Sequence, residues 1–333
     1  MLSRRTPRIK DAQGLLVPHS IASLEPVELG GIQQWILIRG KDRNLPVLLY
    51  LHGGPGGAQI GWAQPFQSGL EDHFIVVNWD QRGAGLSYSR KVPSDSLTIE
   101  QFTRDTLELV NKLRDRFATK KIYLVGHSWG SALGLFAVQQ APECFQAYIG
   151  VGQAARMDEQ ERLCWQWTRE TAKEHGNQKA IKQLEHLGCP PYRDGLQSAA
   201  RRSRWTDRFG GLWYHSTLPA ATGRSLFTSR EYSLLDVFRF FRGQGFSLKH
   251  TWDELKTLNL MERVPKVEVP VYFYIGRHDH AAPPELARQY FDKLAAPKKT
   301  WIWFENCAHF LPFEDPDHFL AMLVHIQQEI GSL

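Results

Sequence analysis

The stretch KIYLVGHSWGSALGLFAVQQ (Lys121 to Gln140) is the tightest constraint in this sequence, because it runs a strand into a helix with almost no chain between them. Lys121 to Val125 reads as a short buried strand, and Ser131 to Gln140 reads as a helix that stops before Pro142. Between them lies G-x-S-x-G, a spacing that suits a strand-to-helix turn whose central serine is strained and holds its oxygen exposed. Gly126 and Gly130 leave room where side chains would collide, and Ala132 and Gly134 let the helix pack close to its neighbours.

The remainder of the chain supplies partners for that unit. Val27 to Leu29 and Ile32 to Ile38 flank Gly30-Gly31 as a hairpin. Pro46 to Leu51 and Phe74 to Trp79 read as strands separated by a glycine-rich loop, and Tyr148 to Val151 as another. Thr98 and Gln101 have capping-box spacing and open a helix with Phe102, Leu109, Leu113 and Phe117 near one face. Strands alternating with helices imply an α/β class with a mostly parallel central sheet and helices on both faces. From Gln153 to Met261 strand signals vanish, and the segment turns helical, charged and rich in tryptophan. The rhythm returns at Val269 to Gly276 and Thr300 to Asn306, and the chain closes on a helix through Phe319, Leu323, Ile326 and Ile330. The expected organisation is a core in two parts, residues 1–152 and 263–333, interrupted by a helical cap at 153–262 over the carboxyl ends of the strands, where open α/β sheets bind ligands.

Length and charge narrow the function. At 333 residues, with 40 basic and 35 acidic side chains, the chain can bury a sizeable core and carries only a mild positive excess. Ser3 to Lys10 (SRRTPRIK) and Arg201 to Trp205 (RRSRW) are the nearest to basic patches; both read as solvated surface, and no nucleic-acid partner is expected. No apolar run approaches the roughly 20 residues of a membrane span, and no apolar segment follows the N-terminal arginines, so the expected setting is cytoplasmic, without a membrane partner. Cys144, Cys164, Cys189 and Cys307 lack metal spacing and read as free thiols, with no metal site. The pattern leaves the oligomeric state open.

Chemistry concentrates at the ends of strands. A nucleophilic Ser128 needs a base, an acid to orient the base, and donors for an oxyanion. The strand–elbow–helix arrangement expects the chain order Ser, acid, His. RHDH places Asp279 after the strand ending at Gly276, and NCAHF places His309 after the next strand. Glu305 is the runner-up acid, although it lies close in sequence to His309; a rival reading makes Asp279 a turn residue capping its own loop. His52, His127, His278, His280 and His318 compete with His309, which alone follows the acid on a loop after a late strand. HGGPGG (His52 to Gly57) brings bare amides near the serine, so Gly54 and Trp129 are the expected oxyanion donors, whereas a phosphate loop would require a Lys-Ser/Thr pair. In DQRGAGLS (Asp80 to Ser87), Asp80 and Arg82 are expected to tie a turn at the sheet's upper edge.

Taken together, HGGPGG, DQRGAGLS, GHSWGS, GRHD and the late histidine resemble the proline iminopeptidases and their relatives in the α/β-hydrolase superfamily, over roughly residues 27 to 152 and 263 to 333. The resemblance implies an α/β-hydrolase fold with Ser128 as nucleophile, Asp279 as acid, His309 as base and Gly54 with Trp129 as oxyanion donors. It implies no metal or organic cofactor, and a small-molecule or short-peptide substrate. Family peptidases bind a free amino terminus through cap glutamates, one of them in a Trp-Glu pair; this chain reads CWQWTRE at that place, leaving Glu231 and Glu170 as substitutes. The leading expectation is release of N-terminal proline or another small residue. A carboxylesterase or lactonase with the same triad is the alternative, and a catalytically silent binding protein the third.

Overall fold

The computed structural model describes residues 4–214 and 218–331. Among them are eight strands: β1 (Ile21–Leu29), β2 (Ile32–Gly40), β3 (Val47–Leu51), β4 (Ile75–Asp80), β5 (Ile122–His127), β6 (Phe145–Val151), β7 (Val271–Gly276) and β8 (Lys299–Phe304). They form one sheet in the order β1-β2-β4-β3-β5-β6-β7-β8. Pairing is antiparallel at β1/β2 and β2/β4 and parallel from β4 across to β8. The mostly parallel α/β sheet is therefore as expected, with strand ends displaced by up to three residues except at β1, which starts six residues earlier than read.

The unbroken apolar runs arise because the central strands are buried on both faces. A two-residue period sorts their side chains. Leu48 and Tyr50 join Val76, Val125 and Ile149 on one face, under Phe319, Leu323 and Ile326 of the final helix Pro316–Gly331. Leu49 and Leu51 join Val77, Leu124 and Phe273 on the other, under the helices Ile99–Arg116, Trp129–Gln140 and Pro284–Lys293. Thr98 caps the first of these by accepting from the Gln101 N–H at 3.1 Å. The return half of a capping box is replaced by a bond from Gln101 Nε2 to Asp105 Oδ1.

Between β6 and β7 the described residues form helices at Met157–Glu174, Gln178–Leu187, Leu196–Arg208, Leu218–Thr228, Leu234–Leu255 and Leu260–Arg263. The two ends of this segment meet: Met157 N–H donates to Leu258 O, and Leu260 N–H to Ala155 O. Among the described residues no helix is long and apolar enough to cross a membrane.

β3 lies between β4 and β5, so the chain reverses its direction of progress across the sheet there and opens a crevice at the carboxyl ends of β3 and β5. Close approach of backbones shapes that crevice. A Cβ at Gly130 would sit 2.1 Å from Leu51 O, and one at Gly126 would sit 2.3 Å from Gly130 O. Another at Gly134 would meet the Tyr148 ring at 2.6 Å. Gly130→Ala is expected to lower the unfolding free energy by about 3 kcal/mol or more, since the opposing atom is backbone and has nowhere to move. Gly245→Ala, at a helical position with open space around it, should be neutral or stabilising by up to about 1 kcal/mol. Urea denaturation of the two variants checks the contrast.

Candidate active site

Ser128 occupies the turn between β5 and the helix Trp129–Gln140 with φ 56° and ψ −117°, a region that costs a non-glycine residue about 1–3 kcal/mol. Its amide is held by Val151 O at 2.9 Å. Asp279 and His309 come from the loops after β7 and β8, and His309 Nδ1 lies 2.8 Å from Asp279 Oδ2. Asp279 is fully buried. Its other oxygen, Oδ1, accepts from the Ala281 and Ala282 N–H groups at 2.8 and 2.7 Å. Asp279 thus caps its own loop with one oxygen and faces the imidazole with the other. The bare backbone of Gly152 (φ 52°) lies against this pair, since a Cβ there would come within 3.0 Å of the His309 ring.

The predicted oxyanion donors belong to two peptide groups whose carbonyls are held from behind. Gly53 O accepts from Gly57 N–H at 3.0 Å and pairs with His52 Nδ1 at 2.8 Å. In a planar trans peptide the Gly54 N–H then points the opposite way. Ser128 O likewise accepts from Ser131 N–H at 2.9 Å and from Ser131 Oγ at 2.5 Å, so the Trp129 N–H points out of the helix start. Gln81 joins the two groups. Its N–H donates to His52 Nε2 at 3.1 Å and its Nε2 to His52 O at 3.1 Å, while its Oε1 accepts from Trp129 Nε1 at 3.0 Å. Burial pushes the His52 imidazole down to about 4, so it stays neutral, with Nδ1 as donor and Nε2 as acceptor.

Other sequence candidates are placed elsewhere. His127 is buried beside His309, its Nε2 2.9 Å from His309 O; burial and the neighbouring His309 push it down to about 3. It braces the loop of His309. Glu305 is exposed and paired with Arg277. His318 lies on the final helix against Phe304. Arg82 does not tie its own turn: it is buried against Asp105 at 2.9 Å and reaches Gly30 O, joining the β1/β2 hairpin to the helix Ile99–Arg116. Asp80 does tie the turn, accepting from Leu86 N–H at 2.8 Å, and also takes a bond from the Tyr232 hydroxyl. Burial pushes its carboxyl up to about 6.

Neither cap glutamate is brought to the triad residues. Glu170 is exposed, accepting from Gln166 Nε2 at 3.1 Å, because it falls on the solvent side of its helix. Glu231 is buried and accepts from Ser229 Oγ at 3.0 Å. It lines a cavity of about 170 Å³ with Ile60, Trp62, Pro65 and Ser229, and neither Ser128 nor His309 belongs to that wall.

A strap from the segment between β6 and β7 was not foreseen. Gly211 O accepts from His280 N–H at 2.9 Å, and Leu212 O from His309 N–H at 3.0 Å. Trp213 stacks on Phe310 with centroids 4.2 Å apart, Tyr214 on His278 at 3.9 Å, and Trp167 on His280 at 3.8 Å. Aromatic neighbours on both sides of Asp279 and one beside His309 were the available signal; their partners are too distant in sequence for any spacing to pair them.

Residues 46–316 match the family model described as alpha/beta hydrolase fold. The chain is similar to the probable aminopeptidase YbaC of Bacillus subtilis (strain 168), with 37% identity over 304 residues, 91% of this chain and 96% of that protein. It is similar also to a proline iminopeptidase of Lactobacillus helveticus (strain DPC 4571), with 24% identity over 303 residues, 88% of this chain and 93% of that protein. Among solved structures, the proline iminopeptidase of Mycobacterium smegmatis aligns with a TM-score of 0.67 at 20% identity, over 93% of this chain and 99% of that one. At that identity the likeness is one of fold.

The strap can be tested on its own. Trp213→Ala should speed amide hydrogen exchange at His280 and His309 about 5-fold, the loss expected when a stacked pair worth roughly 1 kcal/mol no longer holds the two bonds. Trp213→Phe should stay near the wild-type rates, and residue-resolved exchange measurements compare the three proteins.

Proposed function

The chain is a hydrolase belonging to the alpha/beta hydrolase fold family, and we propose that it is a serine hydrolase of the proline iminopeptidase type, releasing N-terminal proline or another small residue from short peptides. The observation that carries the catalytic part is the contact of Asp279 Oδ2 with His309 Nδ1 at 2.8 Å, packed against Gly152, the residue after the Val151 whose carbonyl holds the amide of a strained Ser128. Relatives named as aminopeptidase and proline iminopeptidase along about nine-tenths of the chain support the substrate class. Four unpaired cysteines support a reducing, cytoplasmic setting. We read residues 153–262 as the cap, with 1–152 and 263–333 as the core.

In this mechanism His309 Nε2 takes the proton of Ser128 Oγ as the oxygen attacks the substrate carbonyl, and Asp279 holds Nδ1–H and stabilises the imidazolium that forms. The Gly54 and Trp129 N–H groups receive the oxyanion, and their tied carbonyls keep them aimed before the substrate arrives. Collapse of the tetrahedral intermediate breaks the C–N bond. His309 gives its proton to the leaving amine, and a water, activated by the same imidazole, releases the acyl group from Ser128.

Ser128→Ala should lower turnover of prolyl arylamides by roughly 10⁴-fold or more, and Asp279→Asn by roughly 10³ to 10⁴-fold through the wrong imidazole tautomer. A serine-directed phosphonate should label Ser128 alone. Labelling at another serine, or a near-normal Ser128→Ala enzyme, removes the assignment.

Amine recognition is the part that separates a peptidase from an esterase. A substrate ammonium held away from water needs a carboxylate partner, and Glu231 is the cap acid we assign, buried beside the apolar faces of Ile60 and Trp62. One observation favours the esterase or lactonase reading: the cavity of Glu231 excludes Ser128 and His309 from its wall. Kinetics on prolyl and alanyl arylamides beside short aryl esters decide between them. Glu231→Gln should raise KM for the arylamides about 10-fold or more while leaving uncharged esters almost untouched. Equal effects on both substrates make Glu231 structural, and ester cleavage without arylamide turnover makes the protein an esterase.

A further inference from the structure

The helix Leu234–Leu255 is amphipathic the wrong way round for a surface helix. Its inward face, through Val237, Gly243, Ser247, Thr251 and Leu255, is buried, and a Cβ at Gly243 would sit 2.8 Å from Gly83 O of the core. Its outward face begins with Leu234, Leu235, Phe238 and Phe241, which are 78, 57, 53 and 56% exposed, where such a helix normally carries polar side chains. Phe227, 62% exposed at the end of the preceding helix, adds to them. Most of the large apolar side chains exposed among the described residues fall on these two helix ends, and such clustering marks an interaction surface.

The charge at the apolar end of this helix is basic, while its last turn carries the exposed Asp253 and Glu254. Between Ala220 and His250 every exposed charged residue is basic: Arg224, Arg230, Arg242 and Lys249. The two acids in that interval, Glu231 and Asp236, are buried, and Asp236 is held by Arg4 and Arg239. The Arg4 contact lays the basic N-terminal segment alongside the same helix, and Arg5 N–H donates to Arg230 O at 3.5 Å. Exposed Arg5 and Arg8 thus add to a basic cluster assembled from two distant parts of the sequence. A second copy docked face to face would bring arginines against arginines with no exposed acid between them.

We propose that this face lies on a membrane surface bearing anionic headgroups, its leucines and phenylalanines entering the interface and its arginines meeting the phosphates. This mode of contact needs no spanning helix and leaves the catalytic crevice out of the argument. The proposal departs from the expectation of no membrane partner, which was drawn from the lack of a spanning apolar run; the apolar stripe was not apparent until the inward face of the helix was known.

Co-sedimentation with phosphatidylcholine vesicles, with and without phosphatidylglycerol, tests the proposal. The wild type should sediment with the anionic vesicles and remain in solution with the neutral ones. Binding should weaken near 1 M salt, where the Debye length falls to about 3 Å. The double variant Leu234→Ser with Phe238→Ser should lose binding, while its rate of phosphonate labelling stays at the wild-type value. Arg5→Gln with Arg242→Gln should lower the partition coefficient roughly 30-fold. Failure of the wild type to bind anionic vesicles overturns the proposal, as does undiminished binding by the Leu234/Phe238 variant. A wild-type dimer in sedimentation velocity that this variant splits would assign the face to a second copy and overturn it equally.

Discussion

An absent side chain sets the distance on which the site depends. Leu51 O occupies the space where a Cβ of Gly130 would be, so the end of β3 and the start of the helix Trp129–Gln140 touch backbone to backbone. That contact brings the glycine loop His52 to Gly57 beside Ser128, where a Cβ at Gly53 would sit 3.1 Å from the Ser128 Cβ. The helix adds its partial positive charge at the same point, where its first N–H groups have no partner within the helix. Other features of the site act on a geometry that this approach has already fixed: Gln81 bridges His52 and Trp129, Gly152 lies against the acid–base pair, and the strained backbone of Ser128 follows from the turn.

Three buried histidines near the crevice differ in what stands behind them. His52 and His127 are pushed down to about 4 and about 3 by desolvation, which keeps each ring neutral and its donor and acceptor roles fixed around neutral pH. They suit the work of tethers, holding the carbonyls of Gly53 and His309. His309 has the carboxylate of Asp279 behind Nδ1, and a carboxylate there stabilises a positive ring. One acidic partner therefore separates the imidazole proposed as the base from two that hold carbonyls.

Legibility in the sequence followed range. The elbow was readable because its glycines, serine and flanking apolar runs lie within twenty residues and each carries a local steric reason. The positions of Ser128, Asp279 and His309 after strands were readable because strand ends can be counted. Contacts between residues of unrelated position left no spacing to find. Arg82 was expected in its own turn, yet it is buried on Asp105, because a guanidinium can reach a carboxylate on a neighbouring helix and satisfy two hairpin carbonyls from the same place. The tethering by His52 and His127, the bond from Tyr232 to Asp80 and the strap at Gly211 to Tyr214 belong to the same class. Glu170 shows the converse: a residue type suited to a role carries no direction, and helix phase turned it to solvent.

The segment between β6 and β7 is bound to the core at points of different chemistry, and this bears on how it can move. At the strap, two main-chain hydrogen bonds and three stacked pairs engage the loops of Asp279 and His309 directly. At Tyr232 a single hydroxyl meets a buried carboxyl whose charged form is disfavoured by desolvation. Along the helix Leu234–Leu255 the contact is steric, glycine against backbone at Gly243 and Gly83, with a Cβ of Gly56 only 2.7 Å from Gln244 Cα. The strap engages the loops of Asp279 and His309 alike, so a displacement there would disturb the two together, whereas Arg4 at Asp236 and Glu254 at the Ile99 N–H tie the long helix to other parts of the core.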